Sequence, residues 1–479
     1  MKIIFDVLYD TCLTIGGTFL FHECNLSPCF VCRIASTLVY LRQFVKYQHL
    51  FFCLYLKFLQ IFGKKKYTNL LLGVPGRLPS LTVFVNWCSL CSSMEKLRKA
   101  VNEMAYTQHH AKLSHLQLSL IPVLFLASSL YKAALSLRRA LYHSGFLRQH
   151  RLPVPVISVG NLTWGGNGKT PMVEFIANYL ADSGISPLIL TRGYAGGDEA
   201  KMLHRHFLGR PVKIGVGAKR AAVAASFFER YGYVEPSSSK LCHGQKVGSH
   251  LSSEKIGTVI LDDGMQHWSL QRNLEIVMIN GLTLWGNCHL IPRGPLREPL
   301  SALRQADVVV LHHADLVSEQ NLEDTDLMLR EVNKSVPVFF TKMDPCYFFD
   351  VGNATSRKHV GDLSNTIVLC VTAIGSANSF AKGIEKIGAF YVDRLEFSDH
   401  HKFLAKDIEI IKRRLRELED RFSSKPAVIV TEKDYDRDPY IFKHLDPFEV
   451  LALCSELKII PNRGCTEESF KKLLKEVCT

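Results

Sequence analysis

A short apolar run, Val156 to Val159, leads through a glycine-rich turn into a segment whose apolar positions, Met172, Val173, Ile176, Tyr179 and Leu180, fall at helical spacing. A buried strand, a tight loop and a helix in that order constrain the fold more than any other stretch of the chain. In the loop, Gly165, Gly166, Asn167 and Gly168 allow successive backbone N–H groups to turn inward around a phosphate. Lys169 then reaches the terminal phosphates, and Thr170 offers its hydroxyl to magnesium. The usual phosphate-loop pattern has glycine where Thr163 stands here, so the match is partial, although the Gly-Lys-Thr end is intact. The plainer alternative is a glycine turn that only joins a strand to a helix.

The chain on either side extends this unit into a sheet. Leu188 to Thr191 reads as a second strand, which completes a right-handed strand-helix-strand crossover. Further strands are expected at Val212 to Val216, Thr258 to Leu261, Leu274 to Ile279 and Val308 to Leu311, with a helix over Ala218 to Arg230. Such alternation predicts an α/β fold: a mostly parallel sheet of the phosphate-loop NTPase type, helices on both faces, and ligands at the carboxyl ends of the strands. Glu235 to Ser253, rich in Ser, Gly and Lys, reads as a surface insertion. Periodicity weakens from Phe340 to Arg357, which suggests a domain junction there. Beyond it, Ile367 to Thr372, Ala427 to Val430 and Val450 to Leu453, with the charged helix Ile408 to Arg421, outline a second, smaller α/β domain. These readings divide the chain at 1–93, 94–150, 151–345 and 346–479.

Composition narrows the partners. With 479 residues, 47% hydrophobic and 22% charged, the chain is globular rather than disordered. Its net charge of +13 fits a nucleic acid, an anionic membrane surface or a phosphorylated substrate. The sequence has no ribonucleoprotein-type motif, zinc finger or long lysine run, which argues against nucleic acid. Half of the 14 cysteines precede Met94 and the rest are scattered singly, as expected in a reducing compartment and not in a disulfide framework. Cys29/Cys32 and Cys88/Cys91 each have the spacing of half a zinc site, but they are far apart in an apolar region, and coincidence explains them better.

Residues 1–93 are rich in Phe, Leu and Cys, and their apolar runs are too interrupted for a membrane span of about 20 residues. Few acids and scattered bases permit a targeting role. This segment is expected to lie outside the working protein, with Met94 as a natural alternative start. From Leu116 an apolar stretch of about 14 residues is followed by Lys132, Arg138, Arg139 and Arg148, which suits a helix lying at a bilayer interface with its bases toward anionic headgroups. The alternative is a buried helix pair covering the first strand.

Several residues can carry chemistry. The strand Thr258 to Leu261 ends in Asp262 and Asp263, and in a phosphate-loop fold it lies beside the first strand. An acid there stands where magnesium on the β- and γ-phosphates needs an oxygen ligand. A solvated acid pair at a strand end is the alternative. Gly264 to His267 adds polar groups to the same mouth. Asp198 follows the second strand on the catalytic side of the sheet, where a carboxylate can accept a proton from an attacking hydroxyl; alone it reads as a turn residue. Asp399, His400 and His401 form a polar cluster in the second domain that spacing alone would leave on the surface. In the loop Pro292 to Pro299, Arg297 either grips a phosphate through its planar fork or pairs structurally with Glu298 or a neighbour.

Taken in order, VPVISVGNLTWGGNGKTP, LILTRGYAGG, GDEA, LDDGMQH, GN with LIPRGPLREPL, FSDHH and VTEKD resemble the tetraacyldisaccharide 4′-kinase family of the lipid A pathway, from about Arg151 to Asp434. Thr163 is itself typical of that family, and the texture from Met94 onward is similar to its land-plant members, which implies a mitochondrial setting. The resemblance implies ATP, magnesium and phosphorylation of the 4′-hydroxyl of a tetraacylated glucosamine disaccharide 1-phosphate at a membrane surface. It also implies that Lys169 holds phosphates, that Thr170, Asp262 and Asp263 manage magnesium, that Asp198 is the general base assisted by His400, and that Arg297 contacts a phosphate. Ala200 departs from the proline frequent in the family, and the stretch between Tyr194 and Asp198 is shorter than in many bacterial members. Two other classes fit parts of the pattern: a membrane-associated ATPase or GTPase switch, whose signature lysine is replaced here by Trp164, and a non-catalytic lipid-binding relative.

Overall fold

The computed structural model describes residues 96–107, 113–193, 198–235 and 255–478. Expectations about residues 1–93 and the body of the Ser/Gly/Lys-rich insertion lie outside the described residues. One sheet of 12 strands runs through the rest. Its strands are β1 (Val156–Asn161), β2 (Ser186–Thr191), β3 (Lys213–Val216), β4 (Ile256–Asp262), β5 (Leu274–Asn280), β6 (Val308–His312), β7 (Val338–Asp350), β8 (Arg357–His359), β9 (Ile367–Thr372), β10 (Tyr391–Glu396), β11 (Ala427–Thr431) and β12 (Val450–Ile460). In space they follow the order β10-β9-β11-β12-β7-β6-β5-β1-β4-β2-β3, and β8 pairs with β7. Every pairing is parallel except those of β7 with β12 and with β8.

The stretch 340–357, where periodicity fades, is most of β7 and the turn into β8. Burial changes along β7 from full to partial and back, so no single period marks it as a strand. Its antiparallel pairing with β12, Phe340 opposite Ile460, is the seam between two parallel halves. β10, which extends the second half beyond β9, also escapes the sequence pattern because it is at most half-buried.

Strands buried on both faces place helices on both. Ile157 and Val159 of β1 face a core that includes Met172, Val173, Ile176, Ala177 and Leu180 of α2 (Lys169–Asp182). Val156, one residue out of phase, faces the opposite core with Ala224 of α4 (Arg220–Tyr231), the intervening α3 running Asp198–His206. Burying each large apolar side chain of α2 contributes about 1.5–3 kcal/mol, and Ile176→Ala would cost about 2–5 kcal/mol with its cavity. After α5 (Glu319–Val332), the second half repeats the scheme: Leu369 and Val371 of β9 pack on Ile408, Ile411 and Leu415 of α7 (Ala405–Phe422), while Val368 and Cys370 face Ile384 of α6 (Ala377–Ile387). Two short helices complete it, α8 (Glu432–Arg437) and α9 (Glu467–Cys478), the latter returning to the first half through Phe470 and Leu474.

The segment from Leu116 forms one helix, α1 (His115–His143), not a buried helix pair. At 29 residues it exceeds the expected apolar stretch and, among the described residues, is the one helix long and apolar enough to cross a membrane by length and composition. Ser114 caps it, its hydroxyl accepting from the Gln117 N–H while the Gln117 side chain accepts from the Ser114 N–H. Tyr131 and Leu135 are buried against the protein body, whereas Phe125, Leu126, Leu130 and Leu137 are exposed. The helix is pinned by Tyr131, whose hydroxyl donates to the Arg297 carbonyl at 2.8 Å, and by Ser128, which donates to the Leu290 carbonyl at 2.9 Å.

Candidate active site

The loop between β1 and α2 is shaped by contacts on its outer side. Gly168 has φ +76°, and a Cβ there would lie 2.5 Å from the buried His312 ring at the end of β6, so the turn admits only glycine. The Asn167 side-chain amide donates to the Thr163 hydroxyl at 3.1 Å and to the Thr163 carbonyl at 3.3 Å. Threonine at 163 therefore braces the loop where the usual pattern has glycine. Asn280, the last residue of β5, donates to the Gly166 carbonyl at 2.9 Å. The Trp164 N–H donates to the Pro295 carbonyl, and Tyr106, its hydroxyl pushed up to about 12 by burial, donates to the Trp164 carbonyl at 3.5 Å.

β4 lies parallel to β1 with Asp262 opposite Val159, which brings both acids to the loop. Lys169 Nζ stands 3.6 Å from Asp263 Oδ1. Arg297 binds Asp263 through both ends of its guanidinium, at 2.7 and 3.0 Å, and also donates to Asn161 Oδ1 at 3.0 Å. Burial alone would raise the Asp263 carboxyl, but Arg297 and Lys169 outweigh it and hold it well below the ordinary range. Asp262 goes the other way. Burial, reinforced by the charge of Glu199, pushes its carboxyl up to about 7. Its Oδ2 is buried without a hydrogen-bond partner, an expensive state for a carboxylate. Arg220 steadies this strand end through the Asp262 and Asp263 carbonyls.

The two acids thus differ. Asp263 is paired with two cations, whereas Asp262 offers an oxygen without a hydrogen-bond partner. A hard oxygen donor next to a phosphate loop, with the half-buried Thr170 in the first turn of α2, fits magnesium, which takes few protein ligands and shares the rest with phosphates and water. Arg297 does make an ion pair, but with Asp263; Glu298 lies 3.8 Å from Arg139 instead. Arg138 also departs from expectation: it is buried and donates to the Gln266 carbonyl at 2.9 Å, so it does not face headgroups. His267, burdened by burial and by surrounding arginines, is pushed down to about 2 and stays neutral, its Nε2 2.9 Å from the Ser269 hydroxyl.

Asp198 is the first residue of α3, and its side chain is outside what the structure describes; its neighbour Glu199 takes Lys433 of α8 at 3.0 Å. His400 sits at φ +60°, its N–H donating to the Ala373 carbonyl at 3.1 Å and its Nε2 3.8 Å from Asp399. His401 is held by Asp407 at 2.8 Å and stacks on Phe397. The segment after β9 reaches the phosphate loop: a Cβ on Gly375 would meet the Gly166 amide nitrogen at 2.3 Å. Asn280, His312 and Arg220 are the site residues that sequence reasoning passes over. Asn280 and His312 end apolar strands in a polar residue, the same signal that singles out Asp262.

A family model described as Tetraacyldisaccharide-1-P 4'-kinase matches residues 120–478. The chain is 59% identical over 383 residues to an Arabidopsis thaliana protein named "Probable tetraacyldisaccharide 4'-kinase, mitochondrial", covering 80% of this chain and 97% of that one. It is 31% identical over 320 residues to the tetraacyldisaccharide 4'-kinase of Halothermothrix orenii, covering 65% and 81% respectively. Among solved structures, the "apo" form of LpxK from Aquifex aeolicus in complex with ATP shares 25% identity, with 76% of this chain and 100% of that one aligned at a TM-score of 0.49.

Proposed function

The chain belongs to the tetraacyldisaccharide-1-P 4'-kinase family, and from that membership we propose that it transfers the γ-phosphoryl group of ATP to the 4′-hydroxyl of a tetraacylated glucosamine disaccharide 1-phosphate, in lipid A-type biosynthesis. It is a phosphotransferase with an alcohol acceptor. The observation that supports this reading is that Lys169 Nζ lies 3.6 Å from Asp263, which sets the glycine loop beside the acid pair.

In this reading residues 151–345 bind the nucleotide and 346–479 supply His400. The amides of Gly165, Gly166, Asn167 and Gly168 surround the phosphates, and Lys169 neutralises the terminal ones. Thr170 and Asp262 would hold magnesium, which when bound withdraws charge from the phosphate oxygens. Asp263 stands beside them and, through its pairs with Arg297 and Lys169, aligns both cations toward the transferred group. Asp198 takes the proton of the attacking hydroxyl, and His400 supports it. Positioning and charge stabilisation supply most of the acceleration in such in-line transfers.

The exposed apolar face of α1 lies at a bilayer surface, where the acyl chains of the acceptor remain. The name of the Arabidopsis relative supports a mitochondrial setting. The test is incubation of the purified chain with labelled ATP and a panel of acylated sugar phosphates. Label is expected on the disaccharide lipid, and Lys169→Ala should abolish transfer with an unchanged circular dichroism spectrum. Hydrolysis of ATP without transfer to any acceptor would instead indicate a nucleotide switch.

A further inference from the structure

The phosphate loop is gripped from the second half of the sheet. The Asn280 side-chain amide donates to two oxygens at once, the Gly166 carbonyl at 2.9 Å and the Ser376 hydroxyl at 3.2 Å. Asn280 is buried, and its own Oδ1 accepts from the Leu282 N–H at 3.0 Å, so the side chain is locked in this orientation. A trans peptide directs its C=O and the following N–H to opposite sides. Drawing the Gly166 carbonyl outward therefore turns the Asn167 N–H inward, toward the phosphates. Ser376 belongs to the other half, and only two residues, Ile374 and Gly375, separate it from Ala373. The Ala373 carbonyl accepts from the His400 N–H at 3.1 Å and from Arg437 at 3.4 Å, while its N–H donates to Asp434. Asp434 and Arg437 are themselves a buried pair at 2.8 Å, so this end of the segment is rigid. Gly375 leaves no room for slack, since its backbone lies directly against that of Gly166.

We propose that Asn280 and Ser376 form a clasp between the phosphate loop and the second half of the sheet, through which nucleotide binding at the loop sets the position of His400. Both are positioning residues: neither touches a reacting atom. The inference rests on the reading of the loop as an ATP site. A loop ordered by phosphates presents a fixed Gly166 carbonyl, Asn280 transmits that geometry to Ser376, and the short Ala373 to Ser376 segment carries it to His400. Without the Ser376 hydroxyl the loop still binds nucleotide, but the second half is released from it.

The experiment is a double-mutant cycle on the purified full chain, reading Kd for a fluorescent ATP analogue and kcat at saturating acceptor. Ser376→Ala is expected to leave Kd within about threefold of wild type and to lower kcat about tenfold, as its hydroxyl loses its bonds to Asn280 and Ser379. Asn280→Ala should weaken nucleotide binding about tenfold and lower kcat as well, and adding Ser376→Ala to it should cost less than Ser376→Ala does alone, because only the Ser379 bond is then left to lose. Wild-type kcat in Ser376→Ala, or losses that multiply in the double variant, would overturn the clasp. Should Asn280→Ala fail to fold, Ser376→Ala alone decides, since it removes one hydroxyl from a loop. Lys169→Ala run alongside separates the two levels: if it retains nucleotide affinity the ATP site itself is wrong, whereas its loss of affinity with a silent Ser376→Ala removes only the clasp.

Discussion

Arg297 grips both carboxylate oxygens of Asp263, and that same carboxylate stands 3.6 Å from Lys169 Nζ. An anion set between a guanidinium and an ammonium keeps two cations close together beside the glycine loop, and it fixes the direction of the arginine fork. The arrangement is mostly buried, the Arg297 and Asp263 side chains being 8% and 19% exposed, so removing one partner leaves the other uncompensated.

Replacing the fork while keeping the charge tests this. Arg297→Lys cannot span both Asp263 oxygens and Asn161 together, and kcat/KM is expected to fall about 10- to 100-fold, with a modest loss of stability. Steady-state kinetics beside a thermal melt check it; unchanged kinetics would mean that the Asp263 pairing only supports the fold.

The buried Asp262 carboxylate is set against stability. Its buried Oδ2 has no hydrogen-bond partner, so Asp262→Asn should raise the melting temperature of the metal-free protein, while transfer activity falls at least 100-fold and magnesium no longer shifts the melt. Scanning fluorimetry with and without magnesium reads both effects. A lower metal-free melting temperature would show that Asp262 is structural.

His206 on α3 bridges Glu174 of α2 at 2.7 Å and Glu432 of α8 at 3.0 Å. Burial disfavours its charge, but the two carboxylates prevail and push it up to about 10. A histidine raised in the folded state stabilises fully below its unfolded value of 6.5, and that contribution is lost as pH rises through about 10. His206→Gln should therefore cost about 1–3 kcal/mol at pH 7, with the gap to wild type closing toward pH 10. Urea melts at several pH values give the comparison; a gap constant with pH would contradict the charged state.

The outer face of α1 is open to a membrane test. Leu126 and Leu130 are 62% and 65% exposed, so Leu126→Glu with Leu130→Glu should leave the fold intact. Binding to anionic vesicles is expected to drop at least tenfold, with activity retained on an acceptor of short acyl chains. Cosedimentation measures the first and labelled transfer the second.

The parallel strands are legible in the sequence because β1, β2, β5 and β6 are buried on both faces and read as mostly apolar runs. β7 and β10 are not, because their burial varies along the strand or never exceeds half, and no period survives. The loop, Lys169, Thr170 and the acid pair are legible for a related reason: strand, turn and helix are contiguous, so spacing alone orders them. His312 and Asn280 share the signal of a polar end to an apolar strand, yet nothing local says that their side chains turn back toward the loop.

By itself, then, the sequence determined the strand, glycine loop and helix from Val156 to Asp182, the strand that ends in two carboxylates, and the family the chain resembles, because those properties depend on neighbours along the chain. Tertiary structure alone decided that Asp262 and Asp263 differ in their partners, since Arg297 meets Asp263 from 34 residues away and leaves Asp262 Oδ2 without one. It also decided that α1 keeps Arg138 for the protein and turns Leu126, Leu130 and Leu137 outward, and that Ser376 closes on the loop across the seam of the sheet. Charges and hydrogen bonds choose partners by distance in space, which residue order does not encode until the backbone has folded.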